Sequence, residues 1–147
     1  MKLIVLSGEH DCGKTTSLNL LHDMLLKAGK VTELSCTPQG NPKENDYDYV
    51  FENSLGTRFL LSTWGDFSNL VKDNCVNHAD CELIICACNK NFMQNRKYKP
   101  FDDMLLFDTM PTVVMKAKES DPQKHYDANV KCAQYLLDLI NYFVNVK

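Results

Sequence analysis

The feature that most constrains this chain lies near its start. The apolar run Leu3-Ile4-Val5-Leu6 passes through Ser7 directly into Gly8-Glu9-His10-Asp11-Cys12-Gly13-Lys14-Thr15. A continuous apolar run ended by Ser-Gly predicts a central strand covered on both faces. Beyond the loop, Leu18, Leu21, Leu25 and Ala28 recur at helical spacing before Gly29, which predicts a helix over residues 14–27. Gly8 and Gly13 permit the dihedrals that turn successive N–H groups inward as an anion-binding nest. The helix adds the partial positive charge and unpaired donors of its N-terminus at the same place. Lys14 would reach the β and γ phosphates of a nucleotide, and the Thr15 hydroxyl would ligate Mg²⁺.

The remaining pattern alternates strands with helices. Residues 31–36 predict a second strand, stopped by Thr37-Pro38-Gln39-Gly40-Asn41-Pro42, and the polar segment Lys43 to Asp46 after it is the candidate for a mobile loop. Residues 47–52 and 57–63 flank Asn53-Ser54-Leu55-Gly56, the pattern of a β-hairpin. A short helix is expected over 67–78, a buried strand over 83–88, a polar loop over 89–100, a short helix over 101–107 and a strand over 112–115. Ser120-Asp121-Pro122-Gln123 offers an N-cap and capping box. After it, Ala133, Leu136, Leu137, Ile140, Phe143 and Val144 line one face of a last helix. The expectation is an α/β three-layer sandwich, mainly parallel, with one hairpin as its antiparallel interruption. At 147 residues it forms a single domain spanning 1–147.

Composition excludes several classes. A net charge of -3 argues against nonspecific nucleic-acid binding, which Lys and Arg drive. No run approaches the roughly 18–20 apolar residues that span a bilayer, and the N-terminus reads as a buried strand rather than a secretory signal. The seven cysteines are odd in number, and Cys86-Ala87-Cys88 lacks zinc-hook spacing, so buried reduced thiols and a cytoplasmic location are expected. His22 reads as structural, and His78 and His125 fall near helix termini without a second ligand at metal spacing.

The segment Gly8 to Thr15 resembles the Walker A motif of the P-loop NTPase superfamily, and the resemblance covers roughly residues 1–31. It implies a P-loop fold whose cofactor-binding residues are Gly8, Asp11, Cys12, Gly13, Lys14, Thr15 and Thr16. Lys14-Thr15-Thr16 with Ala28-Gly29-Lys30-Val31 is similar to the class of dethiobiotin synthetases and molybdopterin-cofactor accessory GTPases. Members with the deviant loop carry a lysine where this chain has Glu9, so an intersubunit signature lysine is not supported.

Phosphoryl transfer also needs an acid at a neighbouring strand end to hold Mg²⁺ or its water. Asp66, one glycine beyond the apolar segment 59–64, is the candidate for that metal and catalytic role beside Lys14 and Thr15. Its ending, Thr63-Trp64-Gly65-Asp66, is similar to those of poorly characterised bacterial ATP-binding proteins. An aspartate before Phe67 is equally a natural helix N-cap. Glu52 and Asp48 are lesser alternatives, and Glu9, His10 or Asp11 could position water or a substrate hydroxyl.

Nucleotide choice follows from what is missing. Asn89-Lys90-Asn91-Phe92 has Phe92 where Ras-like GTPases place the aspartate that pairs with guanine, and Ser62-Thr63-Trp64-Gly65 lacks the acid of the DxxG switch. ATP with Mg²⁺ is therefore expected ahead of GTP. Lys90, Arg96, Lys97 and Lys99 read as a solvated loop, or as the basic lid of a small kinase. The leading expectation is kinase-like phosphoryl transfer to a small acceptor, or hydrolysis. The alternative is a nucleotide-gated module contacting a protein partner through residues 37–46, and the last is a degenerate scaffold that binds no nucleotide.

Overall fold

Leu3, Ile4, Val5 and Leu6 have no exposed surface. They lie on β1 (Lys2–Gly8), an interior strand of a six-stranded mixed sheet that also holds β2 (Val31–Gln39), β3 (Asp46–Asn53), β4 (Arg58–Ser62), β5 (Leu83–Asn89) and β6 (Thr112–Lys116). The order across the sheet is β2-β3-β4-β5-β1-β6. This computed structural model describes residues 1–94, 97 and 99–146. Among them are five helices: α1 (Lys14–Ala28), α2 (Leu70–Asn77), α3 (Lys90–Gln94), α4 (Pro100–Leu105) and α5 (His125–Val144).

Period-two alternation divides the core between the two faces of the sheet. Ile4 and Leu6 join Leu18, Leu21 and Leu25 of α1 and Ala133, Leu136, Leu137 and Ile140 of α5. Leu3 and Val5 face the other way, against Val71 and Cys75 of α2 and Met104 of α4. Helices therefore cover both faces, and β1 is apolar on each. Phe143 leaves the predicted stripe: it is 38% exposed, with the Lys2 ammonium 5.1 Å from its ring centroid.

Strand β3 alone runs against the others. It pairs antiparallel with both β2 and β4, whereas β1 pairs parallel with β5 and β6, and β4 pairs parallel with β5. Two antiparallel pairings thus replace the single one expected. Strand β2 also continues past Cys36 through Pro38, paired with Tyr47. A proline is tolerated there because β2 is an edge strand, where the missing N–H can face outward. Of the expected turn-rich stop over 37–42, residues 37–39 are strand; Pro42–Glu44, reaching into the expected mobile segment 43–46, is a 3-10 turn capped by the Asn41 side chain, and Asp46 opens β3. The aromatic ladder Tyr47, Tyr49 and Phe51 packs on one face of β3, with His22 stacked on Tyr49 at 3.9 Å.

Other boundaries move as well. Helix α2 starts at Leu70 with Asn69 at its cap position, so Asp66 is not the N-cap of that helix. Residues 90–94 form α3 where a loop was expected, while Asn95, Arg96 and Tyr98 lie outside the described residues. Before α5 the cap is Asp121, whose carboxylate accepts from the Gln123 N–H in the turn Pro122–Lys124. Five of the seven free cysteines are buried, with Cys36 exposed and Cys132 between. Burial pushes Cys75, Cys81 and Cys88 up to about 11, which makes them poor nucleophiles. Among the described residues no helix is long and apolar enough to cross a membrane.

Asp108 ties the entry of β1 to the approach to β6. Its carboxylate accepts from Leu3 N at 2.8 Å and Met110 N at 2.9 Å, and pairs with Lys2 Nζ at 3.2 Å. Burial alone would raise this carboxyl, but those three donors outweigh it and hold it below the ordinary value. A depressed folded pKa gives stability that is present above the unfolded value of 3.8 and lost as pH falls through the folded one. Asp108→Asn should cost on the order of 1–3 kcal/mol in urea unfolding at neutral pH. The deficit should shrink on acidification, because the wild type then loses the same charge.

Candidate functional site

Strand β1 delivers the glycine loop to the C-terminal end of the sheet, and α1 leaves it there. At Gly8 the chain passes so close to β6 that a Cβ would stand 2.8 Å from the Lys116 carbonyl oxygen. Asp11 and Gly13 both take left-handed dihedrals, with φ of 58° and 93°. Between them, Cys12 N–H turns back to Glu9 O at 3.2 Å. Gly13 is the residue before α1 and has no side chain to cap it, so the first-turn N–H groups lack the side-chain acceptor that a Ser or Asp cap would provide. A helix N-terminus left uncapped in this way is able to receive an anion.

Lys14, 8% exposed, folds its ammonium back over the loop, donating to Gly8 O at 3.1 Å and Glu9 O at 2.7 Å. Beside it opens a cavity of about 490 Å³ lined by His10, Asp11, Gly13, Lys14, Thr15, Thr16, Glu44, Asp46, Thr63, Gly65, Asp66, Ala87 and Asn89. The carboxylate that meets Thr15 is Asp46. Its Oδ1 accepts from Thr15 Oγ1 at 3.0 Å and from Thr63 Oγ1 at 2.8 Å. Asp46 is 5% exposed, and burial pushes its carboxyl up. The two hydroxyl bonds oppose that rise, and the charges of Asp66 and Glu44 add to it.

Asp66 lines the same cavity but is exposed, and its Oδ2 accepts from Trp64 Nε1 at 3.3 Å. The other acids considered lie apart from Thr15. Asp48 is held by Gln39 at 3.0 Å, and Glu52 pairs with Arg58 at 2.9 Å. Sequence reasoning does not reach Asp46, because it ends a polar segment and opens its strand instead of following one. The legible signal was the hairpin: an antiparallel strand starts at the sheet end where its parallel neighbours finish. The segment before it is held in place, since Asn19 Nδ2 donates to Asn45 O at 3.0 Å and Gly40 packs against the Trp64 ring.

Of the loop residues, His10 and Asp11 are exposed at the cavity, their side chains 3.4 Å apart. Glu9 contributes its carbonyl to Lys14 and shares a separate cavity with Lys90, Lys116 and Lys118. Lys90 thus stands beside the loop and does not line the cavity that Asp46 lines. A further cavity of about 190 Å³ is lined by Asp11, Cys12, Gly13, Thr16, Lys116, Lys118, Glu119, His125, Ala128 and Asn129. Two residues that sequence reasoning passed over stand behind the loop. Lys116 Nζ donates to Cys12 O at 2.6 Å, and Asn129 Oδ1 accepts from Ser17 Oγ at 3.3 Å and crowds the Cα of Gly13.

No family model matches the chain, and no curated protein or solved structure matches it significantly.

Proposed function

We propose that the chain is a P-loop nucleotide-binding domain that takes ATP with Mg²⁺ and transfers its terminal phosphoryl group to a small acceptor. One observation carries this reading: Thr15, the first hydroxyl after the loop lysine, is hydrogen-bonded to the buried carboxylate of Asp46 beside the cavity. A hydroxyl and a carboxylate are the hard oxygen donors that Mg²⁺ prefers. The groups acting on Asp46 are two hydroxyls and two further acids, so a divalent cation would offset a charge that burial disfavours.

In this reading the Lys14 ammonium exchanges the carbonyls of Gly8 and Glu9 for phosphate oxygens, and the first-turn amides of α1 receive the β-phosphate. Thr15 and Asp46 hold the metal, which when bound draws charge from the phosphate oxygens. Asp66, exposed and lining the same cavity, would accept the proton of an acceptor hydroxyl. The smaller cavity beyond Thr16 suits the nucleoside end of the ligand. Phe92 in place of an aspartate favours adenine over guanine, and GTP is the comparison ligand.

Calorimetric titration with ATP–Mg²⁺, followed by labelled ATP with a panel of small hydroxyl acceptors, tests this. Saturable binding and label transfer are expected. Absence of heat with both ATP and GTP would overturn the reading. A second reading draws on the Thr15–Asp46 bond, which links the metal position to residues 40–46 and would suit a nucleotide-gated module. It is favoured instead if those residues gain hydrogen-exchange protection while label reaches water alone.

A further inference from the structure

The geometry points to Lys116 as a positioning residue that holds the phosphate loop in its anion-receiving orientation; this rests on the nucleotide-binding reading above. Lys116 ends β6, on the opposite side of β1 from the 490 Å³ cavity, towards which β5 and β4 open. It is 9% exposed, and its ammonium donates at 2.6 Å to the carbonyl of Cys12. No peptide among the described residues is cis. In a trans peptide the C=O of one residue and the N–H of the next point in opposite directions. Drawing the Cys12 carbonyl towards β6 therefore turns the Gly13 N–H away from β6, to the side where the cavity lies.

Lys116 grips the loop at a second point. Its own carbonyl oxygen abuts Gly8, so the residue touches both the first turn of the loop and its last peptide. The left-handed φ of 93° at Gly13 is a conformation that glycine visits readily but does not require. An external donor on the preceding carbonyl is what selects one orientation of that peptide. A charge-assisted bond is stronger than a neutral one, and here it is sheltered from water. The buried ammonium also adds positive potential behind the amides that would face a polyanion.

Lys116 lines the smaller cavity as well, so direct contact with the nucleoside is the competing role. Affinity for ATP–Mg²⁺ and for inorganic tripolyphosphate–Mg²⁺ separates the two, because tripolyphosphate has no nucleoside. Lys116→Met should weaken both ligands by a similar factor, about tenfold or more, with an unliganded melting curve that shows a folded protein at the assay temperature. If Lys116→Met is not folded there, Lys116→Gln replaces it; its donor is neutral and shorter in reach, so it should weaken both ligands by a similar factor, smaller than that expected of Lys116→Met. Wild-type affinity for both ligands in the variant would overturn the inference. So would a loss confined to ATP, which would make Lys116 a nucleoside contact. Failure of the wild-type protein to bind either ligand would remove the nucleotide-binding reading itself, so the two failures are distinguishable.

Discussion

Lys14→Ala is expected to abolish measurable ATP–Mg²⁺ binding while leaving the unliganded fold intact. The wild-type ammonium makes two hydrogen bonds to loop carbonyls, at 3.1 and 2.7 Å, beside the cavity. In the proposed complex these would be exchanged for phosphate oxygens, because a full negative charge is a better acceptor than a peptide carbonyl. Removing a charged donor costs about 1.5–3 kcal/mol for each bond lost, so two bonds amount to roughly two to four orders of magnitude in affinity. Stability should change less: the Glu9 carbonyl left behind is only partly buried and water can satisfy it, while the buried Gly8 carbonyl loses one acceptor bond at a cost of about 1–3 kcal/mol. Titration calorimetry with paired melting curves checks both halves. Binding within a few-fold of wild type would show that the ammonium never leaves the carbonyls of Gly8 and Glu9.

Asp46→Asn should uncouple nucleotide affinity from Mg²⁺. The amide oxygen can still accept from Thr15 and Thr63, so the local bonds persist while the charge disappears. Loss of a carboxylate beside a metal is expected to weaken Mg²⁺-dependent ATP affinity about 10- to 100-fold, with little change when Mg²⁺ is chelated. The same substitution should alter the pH dependence of the unliganded protein in a defined direction. Burial raises the Asp46 carboxyl above 3.8, so the folded state holds its proton more tightly than the unfolded chain does. Stability from this group is complete below 3.8 and is lost as pH rises through the raised folded value. Asp46→Asn removes that loss and should flatten part of the decline. Asp48, also raised by burial, keeps the remainder. An unliganded variant that declines as steeply as wild type as pH rises from 3.8 would contradict the account, as would undiminished Mg²⁺ dependence.

Asp46 and Asp66 show which neighbours of Thr15 can be read along the chain and which cannot. Reading along the chain, an acid after an apolar strand and a glycine is a natural partner for magnesium, and Asp66 does line the cavity. Yet the carboxylate bonded to Thr15 comes from the start of β3, 31 positions along the chain from its partner. Strand direction decides this. In a parallel sheet, site residues follow their strands; one antiparallel strand brings its first residue to the same rim. Trp64 and Gly40 add a contact between connections that no local pattern announces. The edge strand illustrates the converse: Pro38 looked like a stop signal, but a proline on an edge leaves no unpaired partner inside the sheet.

What these 147 residues determined by themselves was the local part. An apolar run long enough for a buried strand, glycines five positions apart and a helix with leucines on one face specify strand, loop and helix, because each depends on dihedral preference and hydrophobic period over a few residues. The lysine and threonine of the loop were legible for the same reason. Tertiary structure alone decided which carboxylate meets Thr15, that Lys116 bonds the Cys12 carbonyl and Asn129 packs on Gly13, and that Asp66 lines the same cavity. Those relations are set by strand order and direction, which depend on how distant segments share one core and leave no periodic trace in the chain.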